Sequence, residues 1–188
     1  MRVIPPILET IESVTQQHGF SMPSERQTGE LLQMLAAMKP GGRLLELGTG
    51  TGLATTWLLN GMSQGARLDS VDNDPSVLAI ARKHLEADER VTFHECDGAE
   101  FILNAAPASY DLVFADAWPG KYSHLDKTLT LLKLGGIYVV DDMNPQPNWP
   151  NGHEINVERL ETELAGRTEF AACRMDFATG VIVCARSA

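Results

Sequence analysis

Along the chain, short apolar runs alternate with longer stretches in which apolar positions recur every three or four residues. The short runs "RLLEL" (43–47), "RLDSVD" (67–72), "VTFHE" (91–95), "DLVFAD" (111–116), "GIYVVDD" (136–142), "EFAACRM" (169–175) and "GVIVCAR" (180–186) read as strands. Helical periodicity fills the gaps over Leu53–Met62, Pro75–Asp88, Ala99–Ala106, Tyr122–Leu134 and Glu154–Ala165. Asp74 followed by Pro75 suits a helix N-cap with proline in the first turn. Two further helices, Pro6–His18 and Arg26–Met38, precede the first strand; they either close over a ligand site or pack on an edge. Strands alternating with helices predict βαβ units, hence an α/β fold with a mostly parallel seven-stranded sheet covered on both faces. Only "DFAT" separates the last two strands, too little for a crossover helix, so they form an antiparallel hairpin.

Composition narrows the class. With 188 residues the chain is expected to form one domain, residues 1–40 as N-terminal helices and 41–188 as the core. A hydrophobic fraction of 44% and a charged fraction of 21% are ordinary for a globular protein. The net charge of -10 argues against nucleic acid or an anionic membrane as partner. Cys96, Cys173 and Cys184 have no paired spacing and read as reduced core thiols. No apolar run reaches the roughly 18 residues that span a bilayer, and the first residues lack a signal-peptide pattern, so a cytoplasmic location is expected.

Candidate chemistry begins at "LLELGTGTGLATTWLL" (44–59), a strand, a glycine-rich turn and a helix. Glycines let the backbone turn tightly against a ligand, and the helix start offers free N–H groups. The spacing Gly48-x-Gly50-x-Gly52 differs from the G-x-G-x-x-G of a dinucleotide site, which disfavours an NAD-dependent oxidoreductase. Asp72 closes the second strand where a ribose-binding carboxylate belongs, and Asp97 follows the third. Glu46 lies near the same edge, where a carboxylate can face an ammonium or a sulfonium.

Taken in order, "LLELGTGTG", "VDNDP" and "CDGAE" resemble the first three motifs of class I S-adenosylmethionine-dependent methyltransferases, whose fold is Rossmann-like. The resemblance implies that Gly48, Thr49, Gly50 and Gly52 form the turn against the methionine part of the cofactor, with Glu46 facing its positive end and partnered by the ammonium group or only by the turn's own backbone N–H groups. It also implies that Asp72 with Asn73 holds the ribose, and that Asp97 and Gly98 lie by the adenine. The other reading is a glycine turn in some other Rossmann-like protein, with Asp72 only capping a helix.

A second constellation ends the fourth and fifth strands: "VFADAWPGKY" and "VVDDMNPQPNW". Adjacent strands would bring Asp116, Asp141 and Asp142 together, and clustered carboxylates repel unless a cation intervenes, which suits Mg²⁺ or another divalent ion. Such an ion could lower the pKa of a substrate hydroxyl. Asp116, Trp118 and Tyr122 match the pattern of the cation-dependent O-methyltransferases, the group with catechol and caffeoyl-CoA O-methyltransferases. "SMPSERQTGELLQML" resembles their approach to the first motif, with the Gly29 helix leading into the cofactor site. The resemblance implies methyl transfer from S-adenosylmethionine to a small-molecule acceptor, on oxygen, and a homodimer. It implies Asp116 and Trp118 beside the cofactor, and Asp116, Asp141 and Asp142 as metal ligands.

The chain departs from that pattern twice. The family's Asp-Asn pair is Asp141-Asp142, and its catalytic lysine is Pro119, with Lys121 two positions later as the candidate substitute if the loop bends. These departures favour a metal-independent methyltransferase acting on N or S; a cofactor-binding module without catalysis is the alternative from a different class. In a metal-free mechanism His124 or His153 could serve as general base, although surface roles are the plainer reading for both. Trp118 and Trp149 would either wall the ligand or fill a loop core.

Overall fold

The computed structural model describes residues 4–147 and 149–188. Two helices, α1 (Leu8–His18) and α2 (Arg26–Ala37), precede β1 (Arg43–Leu47). Then follow α3 (Leu53–Gly61), β2 (Arg67–Asp72), α4 (Pro75–Leu85), β3 (Val91–Glu95), α5 (Gly98–Asn104) and β4 (Tyr110–Ala115). The chain ends with α6 (Leu125–Thr130), β5 (Leu132–Val140), α7 (His153–Ala165), β6 (Phe170–Met175) and β7 (Val181–Arg186). The sheet has seven strands in the order β3-β2-β1-β4-β5-β7-β6. β1 to β5 run parallel, and β7 enters antiparallel between β5 and β6. The α/β reading and its terminal hairpin are as expected from the strand and helix periodicities.

Both sheet faces are buried, and neighbouring residues on one strand serve opposite faces, as the period of two requires. Leu44, Phe114 and Val139 pack with Leu8, Leu32 and Trp57 of α1, α2 and α3. Leu45, Val113 and Tyr138 pack with Ile102, Leu125 and Leu160 of α5, α6 and α7. Gly29 belongs to the first of these layers. A Cβ there would lie 2.2 Å from Cδ1 of Trp57, so the glycine lets α2 close onto the α3 indole. Gly29 thus packs α2 onto α3, while the residues just before α2 run over the carboxyl edge of the sheet.

Asp74 caps α4, its side chain accepting from the Ser76 N–H, with Pro75 in the first turn. The predicted helix 122–134 contracts to α6, six residues long. Residues 118–123 instead fold into a turn, with Tyr122 N–H on the Trp118 carbonyl at 3.0 Å and Gly120 N–H on that of Ser123 at 2.8 Å. His124, expected in the helix, precedes it with φ +58° and stands exposed. At the other end Leu131 and Leu132 are completely buried, and Leu132 pairs with Tyr110, so the chain has already joined the sheet. Periodicity could not separate these pieces because both bury apolar residues. β5 ends at Val140, which leaves Asp141 and Asp142 beyond its end rather than within it. Cys184 is buried and Cys96 partly so, but Cys173 lies exposed on the edge strand β6, which corrects its reading as a core thiol. Among the described residues no helix is long and apolar enough to cross a membrane.

Candidate functional site

A cavity of about 1130 Å³ opens at the carboxyl ends of the strands. It sits where the strand order reverses between β1 and β4, the place where open α/β sheets bind ligands. Its floor is the turn after β1. Gly48 has φ +97°, and a Cβ there would lie 2.6 Å from the Asp116 carbonyl oxygen, so the loops after β1 and β4 touch through it. Such a backbone suits glycine alone.

Asp72 stands at the cavity wall past this turn and accepts hydrogen bonds from the Gly50 N–H at 2.7 Å and the Asp74 N–H at 2.9 Å. One carboxylate thereby fixes both the glycine turn and the start of α4. Gly48, Thr49, Gly50, Asn73, Asp97 and Gly98 also line the cavity. Asp97 caps α5 at the same time, accepting from Ala99 N–H at 2.7 Å and Glu100 N–H at 3.2 Å. Gly52 is not among the lining residues; with φ +92° it starts α3.

Glu46 does not reach the cavity. Its side chain is completely buried beneath the turn, where Thr55 Oγ1 and Ser70 Oγ each donate to Oε2 at 2.5 Å. Ser70 Oγ also lies 2.6 Å from Thr49 Oγ1, so a chain of hydroxyls joins the buried carboxyl to the turn. Oε1 has no partner, and burial pushes the carboxyl pKa up to about 7 despite the two hydroxyl donors. The expectation that Glu46 faces a cationic ligand is therefore corrected. It sits on the strand two residues before Gly48, and its side chain points to the α3 side of the sheet.

The link between α1 and α2 closes the cavity from above. Phe20 packs over Gly50, and Ser24 Oγ donates to Asp116 Oδ2 at 3.1 Å. Thr15 and Thr51 hydroxyls meet at 2.7 Å and tie α1 to the glycine turn. Ser24 lies in the "SMPSERQTGELLQML" stretch expected to lead into the site, and the return of the N-terminal segment over β1 brings it and Phe20 there.

The far end of the cavity holds Asp116, Asp141 and Asp142 with Lys121, Tyr122 and His153. Asp141 is 1% exposed, and its Oδ1 accepts from Thr179 Oγ1 at 2.5 Å and Asp142 N–H at 2.8 Å. Asp142 adopts φ +61°, a left-handed backbone uncommon for a residue with a side chain. Burial and the Asp141 carboxylate push the Asp116 carboxyl well up, while the Lys121 charge opposes the rise. Burial, assisted by Asp142, likewise raises Asp141 against its Thr179 hydrogen bond and Lys121. Among the described residues no three His, Cys, Asp or Glu side chains are placed to hold a metal ion.

Lys121 is 5% exposed although it lies in a turn. The bend of residues 118–123 swings it inward, with Nζ 5.4 Å from the Tyr122 ring centre. Tyr138 Oη donates to the Gly120 carbonyl at 2.5 Å and anchors that bend to β5. His153, read as a surface residue, is 9% exposed and lines the cavity. Its Nε2 lies 3.2 Å from Tyr122 Oη, its Nδ1 has no partner, and burial and the Lys121 charge hold its pKa low. Trp149 and Tyr122 flank it at ring-centre distances of 4.7 and 5.0 Å. Trp118, 52% exposed, stands edge-on to Tyr122 at 5.0 Å on the cavity rim.

Comparison with known proteins agrees with this architecture. The O-methyltransferase family model matches residues 4–186. A putative O-methyltransferase of Mycobacterium ulcerans is 35% identical over 117 residues, 60% of this chain and 52% of that protein. The matched region thus spans about half the length of such curated relatives. The O-methyltransferase of Bacillus cereus, solved with SAH, superposes with a TM-score of 0.83 at 22% identity, over 98% of this chain and 92% of that one. The O-methyltransferase TomG of Streptomyces achromogenes, solved with SAM, gives 0.84 at 22% identity, over 100% and 92%.

Proposed function

Because the chain belongs to the O-methyltransferase family, we propose that it transfers the methyl group of S-adenosylmethionine to an oxygen of a small-molecule acceptor. The observation that carries this reading is the continuity of the cavity. One chamber joins the glycine turn and Asp72 at one end to Asp116, Tyr122 and His153 at the other. Ligand sites commonly measure about 300–1,000 Å³, so the volume of about 1130 Å³ has room for a cofactor and an acceptor side by side.

The residues fit the cofactor. Backbone at Gly48 and Gly50 allows close approach of its amino-acid part, and Asp72 at the cavity wall is the acceptor for ribose hydroxyls in this reading. Leu47, Val71 and Val77 supply an apolar wall, with Asp97 and Gly98 beside the base. When bound, S-adenosylmethionine supplies an electrophilic methyl group on a sulfonium. The chain's task is then to orient the acceptor and take its proton, since in-line displacement depends chiefly on positioning.

Tyr122, Trp118 and Trp149 form the acceptor side. His153 is the proton acceptor of this reading: it is held neutral, and Nε2 meets the Tyr122 hydroxyl, through which an acceptor proton can pass. Thermal unfolding with S-adenosylmethionine, SAH or NAD tests the cofactor assignment. The first two should raise Tm and NAD should not; no shift with either would end the assignment. Transfer of labelled methyl to a panel of hydroxyl, amine and thiol acceptors tests the rest. Label on nitrogen or sulfur alone would move the activity to another acceptor class, and SAH binding with no transfer to any would mark a non-catalytic module.

A further inference from the structure

The resemblance to cation-dependent enzymes implies a divalent ion held by Asp116, Asp141 and Asp142, but the residues present do not fit one. With Lys121 in place, no three His, Cys, Asp or Glu side chains among the described residues gather for a metal ion. Asp141 Oδ1 accepts from Thr179 and from its own neighbour's N–H, and Asp116 Oδ2 accepts from the Ser24 hydroxyl, so protein donors already meet both carboxylates. A fixed positive charge is already present. Lys121 is buried and lines the same cavity as all three carboxylates.

We infer that the Lys121 ammonium stands in this chain where a divalent cation would otherwise be needed, so that acceptor binding and methyl transfer proceed without metal. The inference rests on the methyltransferase reading above and adds which group carries the positive charge. A buried ammonium can donate a hydrogen bond to an acceptor oxygen and stabilise the negative charge that develops as its proton leaves. The balance is simple. The acceptor O–H bond breaks and its proton passes through Tyr122 to His153; the C–O bond forms as the C–S bond breaks. The sulfonium charge ends on the imidazolium, which then releases its proton to solvent.

The location of Lys121 follows from its local backbone. At Pro119, where the family places its lysine, no ammonium is available. The turn at 118–123 reverses direction, closed by the Gly120 to Ser123 hydrogen bond, and brings the later lysine inward. The reversal is held from below by Tyr138 and leaves Lys121 beside the Tyr122 ring.

The test uses the full chain loaded with SAH and reads Mn²⁺ binding by the loss of its free-ion EPR signal, together with Tm in Mg²⁺ or EDTA. Wild type should leave the Mn²⁺ signal undiminished, and Tm should not depend on Mg²⁺ or EDTA. Lys121→Met removes the countercharge from the carboxylates and should bind Mn²⁺ roughly tenfold or more tighter than wild type. Lys121→Arg retains the charge and should behave as wild type. Stoichiometric Mn²⁺ binding by wild type, lost in Asp141→Asn, would overturn the inference even if Lys121→Met failed to fold. A folded Lys121→Met as indifferent to Mn²⁺ as wild type would overturn it too. If SAH itself does not bind, the methyltransferase reading fails at the cofactor and this inference falls with it; SAH binding with metal uptake sinks the inference alone.

Discussion

Replacing Glu46 by Gln removes an ionisable carboxyl buried beneath the glycine turn while keeping an oxygen for Thr55 and Ser70. Burial raises the carboxyl from its ordinary 4.5 to about 7 in the native state. In the unfolded chain it returns to its ordinary value. A tenfold change in proton affinity is worth about 1.4 kcal/mol, so ionising Glu46 costs the folded protein about 3 kcal/mol. The sign follows from proton counting. Between the two pKa values the native state holds a proton that the unfolded chain has lost, so this group's contribution to stability falls as pH rises through that window. Glu46→Gln cannot ionise and lacks this slope. Urea unfolding of both proteins, without ligand, should show wild type losing about 3 kcal/mol relative to the variant between about pH 5 and pH 8. A stability difference that stays constant across that range would refute the argument. A difference of opposite slope would mean that the hydroxyl donors hold the carboxylate ionised.

Three further substitutions test the packing and the site. Gly29→Ala places a Cβ 2.2 Å from Trp57 Cδ1. Overpacking of that kind costs about 1–3 kcal/mol and should exceed the helix-propensity gain of about 1 kcal/mol, lowering Tm by several degrees in calorimetry; an unchanged Tm would mean that α2 and α3 separate without cost. Asp72→Ala removes the acceptor of the Gly50 and Asp74 N–H groups and, in the proposed function, of the ribose hydroxyls. Hydrogen bonds to a charged group are worth about 1.5–3 kcal/mol, so SAH affinity by calorimetry should fall roughly 10–100-fold; equal affinity would remove Asp72 from the cofactor site. Thr179→Val takes the hydroxyl donor from buried Asp141 and should cost about 1–3 kcal/mol in denaturant unfolding. No loss there would show that Asp141 finds another donor.

The layered fold was legible because its signals are local. Alternation along "RLLEL" and "DLVFAD", the Asp74-Pro75 cap and the short "DFAT" connection each depend on residues adjacent in the chain. The glycine turn was likewise legible from the spacing of Gly48, Gly50 and Gly52, and the positive φ of all three fits a tight turn into a helix. Over 122–134 helical periodicity misleads because a helix and a strand entry bury the same apolar residues, and only pairing of Leu132 with Tyr110 separates them.

The site divides along the same line. Asp72, Asp97, Asp116 and Asp141 stand at strand ends, so topology alone sends them towards one edge. Their partners were not legible in this way. Ser24 meets Asp116 from 92 residues away, Thr179 meets Asp141 from 38, and His153 meets Tyr122 from 31. The sequence by itself determined the layers, the glycine turn and the carboxyl-edge placement of the acids, because these follow from backbone periodicity and local conformation. Only the tertiary structure decided that Glu46 lies under the turn, that Lys121 and His153 are buried, and which donors meet each carboxylate. Burial of a polar group depends on what distant segments place around it, and a single strand or turn carries no record of that.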